Sequence, residues 1–163
     1  MFVRSFVELP ASFADLEVEL MRAPATWIPG LARNAEEWGT TLLGEVGFEV
    51  KVGGVRKEVE IHVGRPVRGA AVTLIPLRWQ VTHGEGMFPV MDAELELAAL
   101  GPHVTQLSMD GRYDPPLGRA GRVADRALMH RVAEATVRDF VQRVGQKLMD
   151  ALAEHGASPL SRR

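Results

Sequence analysis

Residues 110–154 read DGRYDPPLGRAGRVADRALMHRVAEATVRDFVQRVGQKLMDALAE, and most of this segment follows a single helical pattern. A strand-like stretch ends at Tyr113, and the sequence DPP at residues 114–116 breaks it. A helix over residues 121–154 would be about 50 Å long. It can bury an apolar face only against a broad surface, such as a sheet. The residues on that face recur at helical spacing as Val123, Ala127, Val137, Val141, Val144, Leu148 and Leu152.

The composition is that of one globular domain. The chain has 163 residues, of which 46% are hydrophobic, and a chain of this size buries roughly 70% of its unfolded surface. A net charge of -2 gives no electrostatic reason to expect binding to nucleic acid or to an anionic membrane. No segment approaches the ~18 consecutive apolar residues of a membrane span, so stable membrane insertion is not predicted. We predict a single domain over residues 1–155 and a flexible tail over residues 156–163.

The chain contains no cysteine, which excludes disulfides, thiolate metal sites and cysteine nucleophiles. This absence fits a reducing compartment. Residues 1–4 lead directly into a strand-like pattern, without the long apolar run and small-residue cleavage site that predict a signal peptide. Arginine outnumbers lysine, a skew typical of GC-rich bacterial genomes. The sequence therefore predicts a cytoplasmic bacterial protein.

The first 40 residues predict one strand followed by two short helices. Residues 2–9 alternate between apolar and polar side chains, as a strand requires. Ser12 can cap the first helix, which the pair at residues 23–24 (AP) should end. A second helical segment spans roughly residues 26–38, where the pair at residues 29–30 (PG) predicts an interruption.

The middle of the chain predicts five further strands in an antiparallel meander. Each segment alternates apolar and polar residues with a period of two, which is typical of a sheet with one buried and one wet face. Gly53-Gly54 is a strong hairpin signal between the first two of them. The predicted strands cover residues 44–52, 58–63, 71–79, 91–97 and 106–113.

Together these elements predict an α+β helix-grip fold: a curved six-stranded antiparallel sheet wrapped around the long C-terminal helix, with two short helices between strands 1 and 2. In this order the sequence resembles the START-like (SRPBCC) superfamily, which includes Bet v 1-like proteins and polyketide cyclase/dehydrase-like proteins. Local similarity supports the resemblance at residues 27–30 (WIPG), 111–118 (GRYDPPLG) and 125–134 (DRALMHRVAE). The resemblance implies a hydrophobic ligand cavity between sheet and helix.

His130 is the sharpest candidate for chemistry, because it falls on the apolar stripe of the long helix. Glu134 lies one turn further on, within side-chain reach. If the stripe faces a cavity, this pair could bind a ligand hydroxyl or act as a general base, with Tyr113 as a partner. The plainer interpretation is that His130 and Glu134 pair with each other, or with Arg131 and Arg138, at the edge of the helix.

A second set of candidates consists of residues on the predicted inner faces. Methionine adapts to irregular shapes and tryptophan offers a flat surface, so these side chains suit an apolar ring or acyl chain. The alternative is that they form ordinary core. Phe88, in a glycine-containing loop at residues 82–89, could act as a gate. The predicted ligand-binding residues are Trp79, Phe88, Met91, Leu95, Met109, Tyr113, His130, Val137 and Val141.

Three classes of function remain open. The first is binding or carriage of a hydrophobic small molecule, such as a lipid, a quinone or a polyketide. The second is a cyclase/aromatase-like enzyme that uses an acid/base pair in the cavity, and the third is a protein-partner module with a vestigial cavity. We favour carriage over catalysis, because an apolar pocket with few convergent polar groups suits binding better. The sequence shows no catalytic motif, and we predict neither a metal nor a cofactor.

Overall fold

The computed structural model describes residues 1–45, 59–81, 90–113 and 126–157. Within these ranges the chain forms six strands and three helices. In chain order they are β1 (Phe2–Leu9), α1 (Phe13–Leu20), α2 (Pro24–Glu45), β2 (Val59–Val63), β3 (Val67–Arg68), β4 (Val72–Val81), β5 (Met91–Gly101), β6 (Val104–Tyr113) and α3 (Arg126–Ala157).

All six strands belong to one antiparallel sheet. Its order is β1-β6-β5-β4-β2, and the short strand β3 pairs with β4. Together with the long helix α3 and the two helices before β2, this confirms the predicted α+β helix-grip fold. The predicted strand at residues 44–52 lies mostly outside the described residues, and its first two positions, Gly44 and Glu45, belong to α2.

Helix α3 packs against β1, α2 and, more lightly, β6 and α1. Its 32 residues give a length of about 48 Å, close to the expected one. Gly145 allows α3 to approach β1 closely, because a Cβ atom there would lie 3.1 Å from Leu9 Cδ2 and 3.2 Å from Val7 Cγ1. The helix residues buried against its neighbours are Val132, Thr136, Val137, Phe140, Val141, Val144 and Leu148.

The two N-terminal helices follow the predicted pattern with one difference. Ser12 caps α1 as expected, accepting a hydrogen bond from the Asp15 amide at 3.2 Å. The predicted break at Pro29 is wrong, because α2 continues through it to Glu45. A proline inside a helix removes its own N–H from the hydrogen-bond ladder and crowds the carbonyl four residues earlier. The residues around it are nevertheless held by burial: Ile28, Ala32 and Ala35 are all fully buried.

No helix within the described residues is both long enough and apolar enough to cross a bilayer.

Candidate functional site

The inner face of the sheet and the buried side of α3 meet in one apolar cluster. The predicted lining residues Trp79, Met91, Leu95, Met109, Val137 and Val141 all belong to this cluster. Alternation along each strand brings them there, because every second side chain points to the same face. Trp79 meets Phe140 of α3 edge to face, with ring centroids 5.6 Å apart. The structure thus places these six predicted residues together.

Gly111 shapes this cluster at the end nearest Tyr113. A Cβ atom at this position would lie 2.8 Å from Met91 Sδ and 3.4 Å from Val3 Cγ1. The missing side chain therefore leaves the space that the methionine occupies. Because methionine is unbranched and flexible, this is also the part of the cluster that can most easily rearrange around another molecule.

Tyr113 adds a polar atom to the apolar cluster. It is the last residue of β6, pairs with Met91 across the sheet, and is only 3% exposed. Its hydroxyl lies 3.2 Å from Nδ1 of His130, in the second turn of α3. A buried hydroxyl needs such a partner, since burial without a hydrogen bond is costly. The contact joins the end of the sheet to the start of the long helix.

The polar contact continues from His130 to the surface. Its other ring nitrogen, Nε2, lies 3.3 Å from Oε1 of Glu134, one helical turn away. The side chains of His130 and Glu134 are 33% and 47% exposed. Tyr113, His130 and Glu134 therefore form a line from the core to solvent, which we call the Tyr–His–Glu chain. His130 thus lies next to Glu134, as predicted, and also next to Tyr113, as predicted for an acid/base pair.

Burial sets the chemistry of the tyrosine. It raises the pKa of Tyr113 above its usual value of 10.0, and the negative charge of Glu134 raises that pKa further. Both effects keep the hydroxyl protonated at neutral pH. The group is therefore suited to hydrogen bonding with a neutral polar group, or to protonating a base stronger than itself.

Several predicted positions lie outside the described residues. They include Phe88 with its loop at residues 82–89, and Val123 of the predicted apolar stripe. Of the other histidines, His62, His103 and His155 are exposed, while His83 also lies outside. No group of three or more potential metal ligands occurs among the residues that the structure describes.

A second polar network, which the sequence analysis missed, joins α1 to the sheet. Glu17 is 8% exposed and receives two hydrogen bonds from Arg68, at 2.9 Å to Oε1 and 2.6 Å to Oε2. The Thr73 hydroxyl donates a third bond to Oε1 at 2.5 Å. The bonds from Arg68 and Thr73 lower the pKa of Glu17 to about 2. The one available signal was a threonine among the apolar inward residues of β4.

A third network, also missed from sequence, joins the far end of α3 to α1. Glu19 is 7% exposed, and its two oxygens lie 3.3 Å from Nε of Arg22 and 3.3 Å from Nδ1 of His155. Nδ1 also donates to the Ala151 carbonyl at 2.8 Å. These contacts fasten the last turns of α3 to the turn after α1.

A groove lies on the outside of the protein between β1 and α3. It has a volume of about 260 Å3 and is lined by Arg4, Ser5, Phe6, Glu134, Arg138 and Gln142. Glu134 belongs both to this groove and to the Tyr–His–Glu chain. The chain therefore ends in solvent at a defined surface depression.

No protein-family profile and no curated protein sequence matches this chain. Solved structures are similar in fold at low identity. A conserved protein from Geobacillus kaustophilus is 13% identical with a TM-score of 0.48, covering 91% of this chain and 95% of its own. An aromatase/cyclase from a Streptomyces species is 13% identical with a TM-score of 0.41, covering 97% and 96%.

A START superfamily protein from Mycobacterium smegmatis is 14% identical, with a TM-score of 0.36 and coverage of 89% of this chain and 97% of its own. These similarities concern the course of the backbone. Nothing about ligand or reaction passes from such distant structures to this chain, so its function has to be argued from its own residues.

Proposed function

We propose that this protein binds a hydrophobic small molecule between the inner face of the sheet and α3, with the Tyr113 hydroxyl as the polar contact. The observation that carries the proposal is the Tyr–His–Glu chain. It brings a hydroxyl that is anchored 3.2 Å from His130 into an otherwise apolar cluster. An apolar surface with a few convergent polar groups is the usual form of a small-molecule site.

The residues around Tyr113 support the proposal. Met91 lies opposite it on β5, and Gly111 leaves the space into which the methionine extends. Methionine side chains repack around ligands of different shape at little cost. Trp79, at the other side of Met91 on β4, adds a flat aromatic surface. The ligand class that this set fits is a lipid, quinone or polyketide-like molecule with one polar end.

We place binding or carriage first and catalysis second. The second candidate, a cyclase/aromatase-like enzyme, is favoured by the same chain, because a tyrosine next to a histidine can pass a proton to or from a bound molecule. Tyr113 would then exchange the proton with the ligand, and His130, held by Glu134, would exchange it with Tyr113. A protein that retains its ligand chemically unchanged would support binding or carriage, whereas conversion of the ligand would support the enzyme.

The test begins with native mass spectrometry of freshly purified protein, followed by extraction and identification of any released compound. We expect a retained apolar compound at near-stoichiometric occupancy. Ala93 lies on the inner face of β5 between Leu77 and Gly111, so Ala93→Phe should fill the proposed site and abolish retention.

The matched control is Asp92→Phe, which adds the same ring to the exposed outer face of the same strand. It should leave retention unchanged. Circular dichroism verifies that both variants are folded. A compound retained equally by both variants would place the ligand elsewhere, and would count against the proposal.

A further inference from the structure

The hydrogen atoms of the Tyr–His–Glu chain can be assigned from the chemistry of its members. A carboxylate is negatively charged and has no hydrogen to donate, so Glu134 Oε1, which lies 3.3 Å from His130 Nε2, favours the tautomer with the proton on Nε2. A neutral imidazole carries one proton, which leaves Nδ1 as an acceptor. The Tyr113 hydroxyl, 3.2 Å from Nδ1, must then be the donor.

This assignment leaves the tyrosine oxygen with acceptor capacity and no proton to offer. A phenolic hydroxyl has one hydrogen to donate, and here it is given to His130. Because Tyr113 is 3% exposed, water is largely excluded as its further partner. Whatever binds next to this oxygen must supply a hydrogen. A ligand whose polar end only accepts would leave both oxygens unsatisfied, which costs free energy.

We infer that Tyr113 selects ligands by whether their polar end donates or accepts a hydrogen bond, and that the protonation state of His130 sets this preference. While His130 is neutral, the site takes an apolar molecule with a hydroxyl or phenol end in preference to its ether or ketone counterpart, so among the proposed ligands a hydroxylated lipid or polyketide fits better than a quinone. When His130 is protonated, Nδ1 donates a hydrogen bond to the tyrosine oxygen. The Tyr113 hydroxyl can then donate its own hydrogen to the ligand instead of to His130. The preference then moves toward ligands that accept. This inference rests on the proposed binding site.

The charged groups around His130 are few in the part of the chain that the structure describes. Glu134 lies one turn along α3. Arg4 of β1 and Arg138 of α3 line the groove into which Glu134 opens. The main-chain amine of Met1 binds the Tyr113 carbonyl, so a positive charge also lies near the end of β6. Glu134 is the group among these that lies next to the ring, and its negative charge favours the proton on Nε2.

The first experiment needs no ligand. Two-dimensional nuclear magnetic resonance of 15N-labelled protein distinguishes the two neutral histidine tautomers by their ring nitrogen shifts, and a His130→Gln sample identifies the signals of this one among the five histidines. We expect His130 to carry its proton on Nε2 at about pH 8. A proton on Nδ1 instead would overturn the inference, whatever the protein binds.

The second experiment uses 2-naphthol and 2-methoxynaphthalene, which share their rings and differ in the hydrogen that the first can donate. Calorimetric titration should give roughly a fivefold greater preference for 2-naphthol in the natural protein than in Tyr113→Phe at about pH 8. At an acidic pH at which the ring nitrogen shifts show His130 to be protonated, this excess should shrink, because Nδ1 then carries a proton and no longer accepts the Tyr113 hydrogen. An excess that is absent, or equal at both pH values, would overturn the inference.

His130→Gln is the matched control for the pH dependence. Its amide oxygen can still accept the Tyr113 proton but cannot be protonated in this range. We expect this variant to keep the preference for 2-naphthol and to lose the pH dependence. If neither compound binds and the purified protein retains nothing, the proposed site fails, whereas the tautomer measurement still tests the hydrogen assignment on its own.

Discussion

Glu17 and Glu134 belong to two polar networks that differ in how many of their hydrogen-bonding positions are occupied. Glu17 is buried, and Arg68 and Thr73 donate three hydrogen bonds to its two oxygens. Glu134 is 47% exposed and contacts one nitrogen of His130. Beyond it, the Tyr113 hydroxyl makes one hydrogen bond within the described residues, to His130, and can still accept another. A buried carboxylate that receives three hydrogen bonds from the protein holds the fold together, whereas a buried hydroxyl that can still accept a hydrogen bond can hold another molecule.

The largest effect on stability should follow the loss of the negative charge of Glu17. Glu17→Gln keeps the size of the side chain but removes the charge that faces Arg68, and we expect the free energy of unfolding to fall by about 2–3 kcal/mol. Glu134→Gln, the matched change in the other network, should cost less than about 0.5 kcal/mol because the group is half exposed. Urea denaturation measures both. Equal losses would erase the distinction between the two networks.

Acid should destabilise the protein through the same Glu17 network. The pKa of Glu17 is about 2 in the folded protein, against 4.5 for a glutamate without these partners, as in the unfolded chain. The stabilisation that Glu17 provides is therefore fully present above pH 4.5 and is lost as the pH falls toward 2. We expect the natural protein to lose about 2–3 kcal/mol over this range beyond the loss in Glu17→Gln. Thermal unfolding followed at several acidic pH values checks this. Parallel curves for the two proteins would contradict it.

A smaller effect, on the pKa of Tyr113, should be seen in the Tyr–His–Glu chain. Tyr113 is the single tyrosine of the chain, so the ultraviolet absorbance of phenolate titrates this one group. We expect it to ionise above pH 10.0, mainly because it is buried. In Glu134→Gln the midpoint should fall slightly, since a nearby negative charge disfavours phenolate. An unchanged midpoint in this folded variant would show that the carboxylate does not influence the tyrosine.

The smallest effect is expected where an ion pair is neither buried nor part of a network. Arg4 and Asp110 face each other across β1 and β6, 3.2 Å apart, with side chains that are 54% and 40% exposed. Arg4→Gln should change the free energy of unfolding by less than about 0.5 kcal/mol. A loss as large as that of Glu17→Gln would mean that charge pairing alone, without burial, explains the first prediction.

The sequence by itself determined most of the elements, because their signals are local. A strand buried on one face needs alternation, which is visible at Ile75, Leu77 and Trp79, and all three lie inward as expected. Ser12 caps α1 through an amide three residues away. The long apolar stripe predicted α3, and a sheet was the surface broad enough to cover it. These features depend on neighbours within a few positions, so the pattern of residues is sufficient.

Only the tertiary structure decided which distant polar groups meet. Glu17 and Arg68 are 51 residues apart, and no local pattern announces that α1 places one beside the other. Helix α2 likewise passes through Pro29 because its neighbours Ile28 and Ala32 are buried, which outweighs one missing hydrogen bond. His130 could be singled out from its helix face, but its distance to Tyr113 depends on how α3 lies across the sheet. Packing, which sums many weak contacts between remote segments, sets that distance.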